Sequence, residues 1–202
     1  SATVTGLTNG TAYYFKVAAK NSVGTGSYSA ASADATPTMP TLTISYAAGS
    51  GSGTAPVSPV SVLSGSTFTT PTNTYTRTGY TFAGWSDGSA TYAAAATYPS
   101  SGTVASNVTL TAQWTANTLT VTYNSQSGSS ITAGSTSTGG SIAASPGTPT
   151  RTGYTFAGWF VATSGGSAIT FPYAHGQTAD FTLYAQWTAN TLTVTYNSQS
   201  GS

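Results

Sequence analysis

The chain has 202 residues, of which four are Lys or Arg and three are Asp, giving a formal net charge of +1. Nucleic-acid interfaces need clustered basic residues, so this composition excludes one. Thirteen Tyr, seven Phe and four Trp exclude a highly charged disordered chain, and the absence of Cys excludes disulfide bonds. No apolar run approaches the roughly 20 residues of a membrane span.

Residues 1–37 read as strands that close a β-sandwich. Tyr13, Phe15, Val17 and Ala19 alternate with polar or small residues and share one strand face. The preceding L-T-N-G-T-A-Y resembles the tyrosine corner of fibronectin type III domains. We therefore expect 1–37 to be the C-terminal part of such a domain, ending at the extended linker Pro37–Pro40.

Two long strings are repeated beyond the linker. TRTGYTFAGW occurs at Thr76–Trp85 and Thr150–Trp159, and AQWTANTLTVTYNSQSGS at Ala112–Ser129 and Ala185–Ser202. Each string recurs after 73 or 74 residues. Such a period is typical of tandem modules. The sequence predicts modules at 41–115 and 118–188, followed at 190–202 by the opening strand of a third.

Each module is expected to open and close with a strand. Alternating apolar residues give the opening strands one buried face, and closing strands are predicted at Val108–Trp114 and Phe181–Trp187. The buried faces are predicted to hold Leu42, Ile44, Tyr46; Leu119, Val121, Tyr123; Leu110, Ala112, Trp114; and Leu183, Ala185, Trp187. Because only Thr115–Asn117 joins one closing strand to the next opening strand, a semi-rigid array is expected.

The repeated aromatic string needs a bulge to bury its tryptophan. Tyr154 and Phe156 share a strand face, whereas Trp159 falls on the opposite face by simple alternation. A β-bulge at Gly158 would add one residue and return Trp159 to the face of Tyr154 and Phe156. The same argument applies to Gly84 and Trp85 in the first module.

An opening strand like L-T-V-T-Y-N, a string like P-T-R-T-G-Y-T-F-A-G-W and a string like T-L-Y-A-Q-W follow one another twice. This order resembles the Listeria–Bacteroides repeat, also called the internalin B-repeat. Pro149–Trp159 and Thr182–Trp187 match it closely. Arg77–Trp85 and Thr109–Trp114 match nearly as well, with Thr111 where the second module has Tyr184. This resemblance implies small, mainly β modules with a β-grasp-like core, found in tandem on bacterial surface and secreted proteins. It also implies spacer, adhesive or weak ligand-binding roles and no enzymatic activity.

No catalytic, cofactor or metal site is predicted, and no cofactor is expected. The three Asp residues lie far apart, so paired-carboxylate catalysis is disfavoured. His175, Asp180 and a serine could nominally form a Ser-His-Asp triad. Because serine is so abundant in this chain, that match does not indicate catalysis. His175 is interpreted as a surface-loop residue, and Asp87 as part of a turn rather than a calcium loop.

Arginines and tryptophans are the remaining candidates for ligand contacts. Arg77 and Arg151 precede the aromatic string in both modules, and we favour stacking on Tyr or bonding to carbonyls over a ligand clamp. The four Trp residues, at positions 85, 114, 159 and 187, are expected in cores. If they were exposed, they could stack on sugars. The non-repeated segments Ser86–Ser106 and Phe160–Asp180 are where binding preference is expected.

The sequence thus predicts a mainly β, non-catalytic segment of a large repetitive bacterial surface or secreted protein. Its expected role is that of a structural or adhesive stalk. A component of a filament or a surface layer is one version of this role. The alternative is a carbohydrate-binding module array. Expected partners are neighbouring copies or further modules of the same protein, with surface glycans or a host or partner cell surface as further candidates. The expected location is extracellular.

Overall fold

The computed structural model describes residues 2–197, which form strands and loops but no α-helix. The strands are β1 (Thr41–Ala47), β2 (Val60–Leu63), β3 (Phe68–Thr69), β4 (Tyr80–Ser86), β5 (Thr91–Tyr92), β6 (Thr97–Tyr98), β7 (Val108–Ala116), β8 (Thr118–Asn124), β9 (Gly134–Ser137), β10 (Ser141–Ile142), β11 (Tyr154–Phe160), β12 (Tyr173–Ala174) and β13 (Phe181–Ala189). Since residues 2–197 contain no helix, they contain none able to cross a membrane.

The chain divides into two compact units, and the division passes through the first repeat. One unit comprises Ser1–Ala47, Ala55–Asn73 and Trp85–Thr111. The other comprises Ala48–Thr54, Thr74–Gly84 and Ala112–Ser202. One end of the first repeat therefore folds in the same compact unit as the whole second repeat.

In the first unit, residues 13–35 form an irregular hairpin rather than the regular strands predicted. The backbones of Tyr13 and Ala35 exchange hydrogen bonds of 2.8 and 3.0 Å. Further along, Phe15 N–H donates to the Ser32 hydroxyl at 2.9 Å and Val17 N–H to the Ser29 hydroxyl at 3.1 Å. Serine side chains thus replace the carbonyl acceptors of a regular ladder, which is why only isolated bridges form.

The first unit also contains the opening strand and the start of the closing strand of the first repeat. β1 pairs antiparallel with β2 and parallel with β7, and Ile44 lies opposite Val108 in the parallel register. Ile44 and Leu110 are fully buried. The ring of Tyr46 packs edge-on against Trp85 at 5.1 Å between centroids. The sheet containing these strands has the order β2-β1-β7-β4-β5.

The second repeat has the corresponding sheet, ordered β11-β13-β8-β9, within the second unit. β8 pairs antiparallel with β9 and parallel with β13, and β13 pairs antiparallel with β11. Its core holds Val121, Tyr123, Trp159, Leu183 and Ala185, with Phe156 and Trp187 packed against it. Opening and closing strands are thus adjacent and parallel in both repeats.

Burial confirms the predicted inward faces of these strands. Ile44, Leu110 and Ala112 are buried, and Leu42, Tyr46 and Trp114 partly so. In the second repeat the buried set is Leu119, Val121, Tyr123, Leu183 and Ala185, with Trp187 partly buried. The closing strands run two residues further than predicted, because β13 keeps its pairing with β11 through Thr188 and Ala189.

The bulge predicted at Gly158 is confirmed. The β11–β13 register shifts between Phe156 and Gly158, and Gly158 has a φ of 137°. Trp159 consequently packs against Phe156 at 5.6 Å between ring centroids. Tyr154 was predicted on the same buried face, which is wrong. It is the first residue of β11 and is 38% exposed.

The segment predicted to open a third module forms no strand within residues 190–197. Leu192, Val194 and Tyr196 are exposed, although the same sequence at Leu119–Tyr123 is buried in β8. Residues 198–202 of that prediction lie outside the described residues.

Replacing Gly158 tests the bulge. Gly158→Val places a branched side chain at a positive φ, and a Cβ there would lie 2.9 Å from the Cβ of Ala168. We expect a loss of about 2 to 4 kcal/mol in the free energy of unfolding, measured by urea denaturation. The control Ala157→Val, at the neighbouring exposed strand position, should cost far less. Equal stability of both variants would contradict the bulge.

Candidate functional site: the junction between the repeats

The junction is built around the backbone of Gly79, in the turn that opens the first aromatic string. Tyr80 N–H donates to the Arg77 carbonyl at 3.0 Å, which closes this turn. Gly79 has a φ of 78°, a left-handed conformation that favours glycine. All the junction residues described below belong to the second compact unit.

The carbonyl of Gly79 accepts one hydrogen bond from the join between the repeats and one from the next repeat. Asn117 N–H, at the join, donates to it at 2.9 Å. The hydroxyl of Thr138, in the turn after β9, donates to the same oxygen at 2.6 Å. Thr138 is buried, so the free energy of this hydrogen bond is little weakened by solvent.

Asn117 connects the two sides of the junction. Its carbonyl accepts from Thr138 N–H at 2.9 Å, and its side-chain Oδ1 accepts from the hydroxyl of Thr81 at 2.7 Å. The neighbouring Gly139 N–H donates to the Gln177 carbonyl at 2.8 Å, which holds the turn against the body of its own repeat. The junction is therefore a closed set of backbone and side-chain hydrogen bonds.

Close packing makes a side chain at position 79 unacceptable. A Cβ built on Gly79 would lie 2.7 Å from Cγ2 and 2.9 Å from Oγ1 of Thr138, and 2.9 Å from the carbonyl oxygen of Thr178. A backbone oxygen cannot rotate away as a flexible side chain does. Glycine is thus required here by both conformation and space.

The second repeat carries the same receiving end with its outer side open. Asn190 N–H donates to the Gly153 carbonyl at 2.9 Å, and the Thr155 hydroxyl to Asn190 Oδ1 at 2.7 Å. Gly153 has a φ of 79°, yet a Cβ built on it meets no described atom within 4 Å. Burial follows the same difference. Asn190 is exposed, whereas its counterpart Asn117 is partly buried.

His175 is buried, so its interpretation as a surface-loop residue is wrong. Its Nδ1 accepts from Gln177 N–H at 3.0 Å, and its Nε2 lies 3.1 Å from the Thr136 hydroxyl. Burial lowers the pKa of the imidazole. A proton on Nδ1 would oppose the Gln177 N–H, so the neutral ring is a structural part of the turn that follows β12.

Asp87 stabilises a turn in the non-repeated segment of the first repeat, as the sequence predicted. Its Oδ1 accepts from the N–H groups of Ser89 and Ala90, both at 2.8 Å. Its Oδ2 accepts from the hydroxyls of Tyr92 at 3.2 Å and Tyr98 at 3.3 Å. The Ala90 N–H is the largest of the effects that lower the pKa of this carboxyl.

Asp180 also makes a contact that stabilises the fold. Asp180 Oδ1 accepts from Thr120 N–H at 2.7 Å and so fixes the end of a strand. In the described part of the chain, no group of three or more His, Cys, Asp or Glu side chains could hold a metal ion.

Stacking of the arginines on tyrosines is confirmed. The guanidinium carbon of Arg77 lies 3.5 Å from the ring centroid of Tyr80, and that of Arg151 lies 3.9 Å from Tyr154. Arg151 also donates to the Gln126 carbonyl at 3.3 Å. Each guanidinium therefore covers an aromatic ring at the end of its repeat.

The tryptophans are bound into the cores by their indole N–H groups. Trp85 and Trp159 are buried, and Trp114 and Trp187 are partly buried. Each indole N–H donates to a backbone carbonyl at 2.9 to 3.0 Å; the acceptors are Pro71, Gly147, Ala48 and Ser125. Their shared role is to fasten loops to the sheets.

The junction was not predicted from the sequence. Its signal was present, because Gly79 and Asn117 recur as Gly153 and Asn190 at equivalent positions of two identical strings. The partner, Thr138, lies in a segment that differs between the repeats. Only the folded structure shows that this hydroxyl meets the Gly79 carbonyl.

Comparison with known proteins identifies the repeats. Residues 43–113 and 120–186 both match the Listeria-Bacteroides repeat domain. The chain is 36% identical over 115 residues to Internalin H of Listeria monocytogenes serovar 1/2a. That similarity covers 57% of this chain and 20% of the relative, so the chain spans about a fifth of the length of that protein.

Two glycine-to-alanine substitutions test the junction, because the backbone strain that they introduce is the same at both positions. Gly79→Ala and Gly153→Ala both place Ala at a φ near 80°, but only position 79 is crowded by Thr138 and Thr178. We expect Gly79→Ala to lower the free energy of unfolding by about 1 to 3 kcal/mol more than Gly153→Ala. Urea denaturation followed by Trp fluorescence measures the difference. Equal losses would show that Gly79 is not packed as described.

Proposed function

Since the chain belongs to the Listeria-Bacteroides repeat family, we propose that it is a non-catalytic structural segment of a bacterial surface or secreted protein. In this role the repeats form a stalk or adhesive arm, and their number sets its length. The organisation proposed is a fibronectin-like segment at 1–37, repeats at 41–115 and 118–188, and an opening segment of a further repeat at 190–202. An array acts by reach and multiplicity, which needs no reactive side chains.

One observation carries the proposal, the double hydrogen bond to the Gly79 carbonyl. A flexible tether would leave the ends of neighbouring repeats solvated. Instead, Asn117 and Thr138 both donate to one oxygen, and Thr138 is buried. This bonding restricts rotation at the join, as a stalk requires.

Two details support the finer fold assignments. The hydroxyl of Tyr13 accepts a hydrogen bond from Thr8 N–H at 3.0 Å, the bond that defines a tyrosine corner and so supports a fibronectin-like origin for 1–37. The mixed sheet of each repeat places the opening and closing strands side by side and parallel, as in β8 and β13. This arrangement supports a β-grasp-like core.

The proposed partners are neighbouring copies or further modules of the same protein, and the proposed location is the cell surface or the extracellular medium. Similarity to Internalin H supports this location. A carbohydrate-binding array is the weaker alternative. A sugar that stacked on Tyr154 or Trp187 would need polar groups nearby to bind its hydroxyls. The neighbouring Gln186 is already used within the protein, because its Nε2 donates to the carbonyls of Ala162 and Gly165.

Thr138→Val tests whether the junction stiffens the array. The substitution keeps the side-chain shape and removes the hydroxyl donor, which should cost about 1 to 3 kcal/mol at this buried position. In the unmodified chain, ¹⁵N relaxation should give one rotational correlation time for residues 74–84 and 118–188. In the variant, residues 74–84 should show additional independent motion.

The matched control is Thr122→Val, which makes the same chemical change on the exposed face of β8. It should leave the correlation times unchanged. Separate correlation times for the two segments in the unmodified chain would refute the stalk.

A further inference from the structure

In the second repeat, a turn that donates hydrogen bonds and a glycine that can receive them lie at opposite ends of the sheet. In the second repeat, the donor turn is Thr138-Gly139 and the receiving residue is Gly153. In the first repeat, Ser64-Gly65 occupies the donor position. Ser64 N–H donates to the Pro40 carbonyl at 2.9 Å, as Thr138 N–H donates to Asn117. Gly65 N–H donates to the Val104 carbonyl at 2.9 Å, as Gly139 N–H donates to Gln177.

We infer that the Gly153 end is a docking site for another copy of this repeat, one that takes 191–197 as its opening strand and donates a Ser or Thr hydroxyl to the Gly153 carbonyl. The inference rests on the proposed function and adds to it a defined interface, with acceptor, donor and apolar surface named.

The Gly153 end and the Gly79 end have the same sequence and the same hydrogen bonds. Asn190 and Thr155 bond at the Gly153 end as Asn117 and Thr81 bond at the Gly79 end. The receiving backbone therefore has its bound arrangement before any partner arrives. A preformed site loses little conformational entropy on docking.

The space beside Gly153 is open, whereas the space beside Gly79 is filled. At Gly79, the side chain of Thr138 and the Thr178 carbonyl fill the volume that a Cβ would occupy, whereas at Gly153 that volume is free of described atoms. The Tyr80 hydroxyl lies beside Gly139, 3.9 Å from the position of a Cβ on that glycine. Its counterpart Tyr154 is 38% exposed. The second end thus has the shape of the first without its cover.

The alternating apolar side chains that follow Asn190 are exposed. Leu192, Val194 and Tyr196 are 86%, 69% and 90% exposed. The same residues in the preceding copy, Leu119, Val121 and Tyr123, are 3%, 0% and 8% exposed, because β9 and β13 flank them. The body of another repeat supplies the partners that these side chains lack. Donor and acceptor lie on different ends, so such contacts are head-to-tail and extend as a linear array.

The test compares the 202-residue chain with a lengthened chain in which a copy of residues 130–189 follows Ser202. We expect the amides of Leu192, Val194 and Tyr196 to become as protected from hydrogen exchange as those of Leu119, Val121 and Tyr123. We also expect Gly153→Ala to raise the unfolding equilibrium constant about tenfold more in the lengthened chain than in the original one. Gly165→Ala is the control, because its φ is 68° and a Cβ there meets no described atom within 4 Å.

Two results would overturn the inference. Unprotected amides at 192–196 would show that the segment does not accept a repeat body. Protected amides with an unchanged effect of Gly153→Ala would show a folded repeat that does not dock at this glycine. Neither result touches the Gly79–Thr138 junction, so failure of this inference is distinguishable from failure of the proposed stalk. As the control, Gly165→Ala must change the unfolding equilibrium constant by the same factor in the original and the lengthened chain.

Discussion

The carbonyl oxygen of Gly79, shared between Asn117 N–H and the Thr138 hydroxyl, is the interaction that turns two folded repeats into an array. Its position depends on a left-handed glycine, and its surroundings leave no room for a side chain. The glycine in the aromatic string therefore serves two purposes: it closes the turn that starts a strand, and it leaves space in which Thr138 of the next repeat contacts its backbone.

The low charge of the chain fits this arrangement. With four cations and three anions in 202 residues, order comes from aromatic packing and from hydrogen bonds of uncharged groups. Each tryptophan binds a loop carbonyl, two arginines cover tyrosines, and Asp87 and His175 complete turns. The residues that would serve chemistry in an enzyme are used here to hold loops. The junction proposed to stiffen the array consists of backbone groups and a threonine hydroxyl.

The sequence predicted what alternation determines. The inward face of β8 follows from the period of two in Leu119, Val121 and Tyr123, and the bulge at Gly158 follows from the wrong parity of Trp159. Tyr154 and His175 could not be placed this way. Tyr154 is the exposed first residue of β11, before the bulge, and the buried His175 is hydrogen-bonded to Thr136, 39 residues away in the chain. The junction has the same character, since Thr138 and Gly79 are 59 residues apart and belong to different repeats.

The most direct test is a double-mutant cycle across the junction with Gly79→Ala and Thr138→Ala, read as free energies of unfolding. Because the new methyl group at 79 collides with the side chain removed at 138, the account predicts that the double variant loses at least about 1 kcal/mol less than the sum of the single variants. Losses that add to within about 0.5 kcal/mol would mean that Gly79 and Thr138 do not meet, and would contradict the junction.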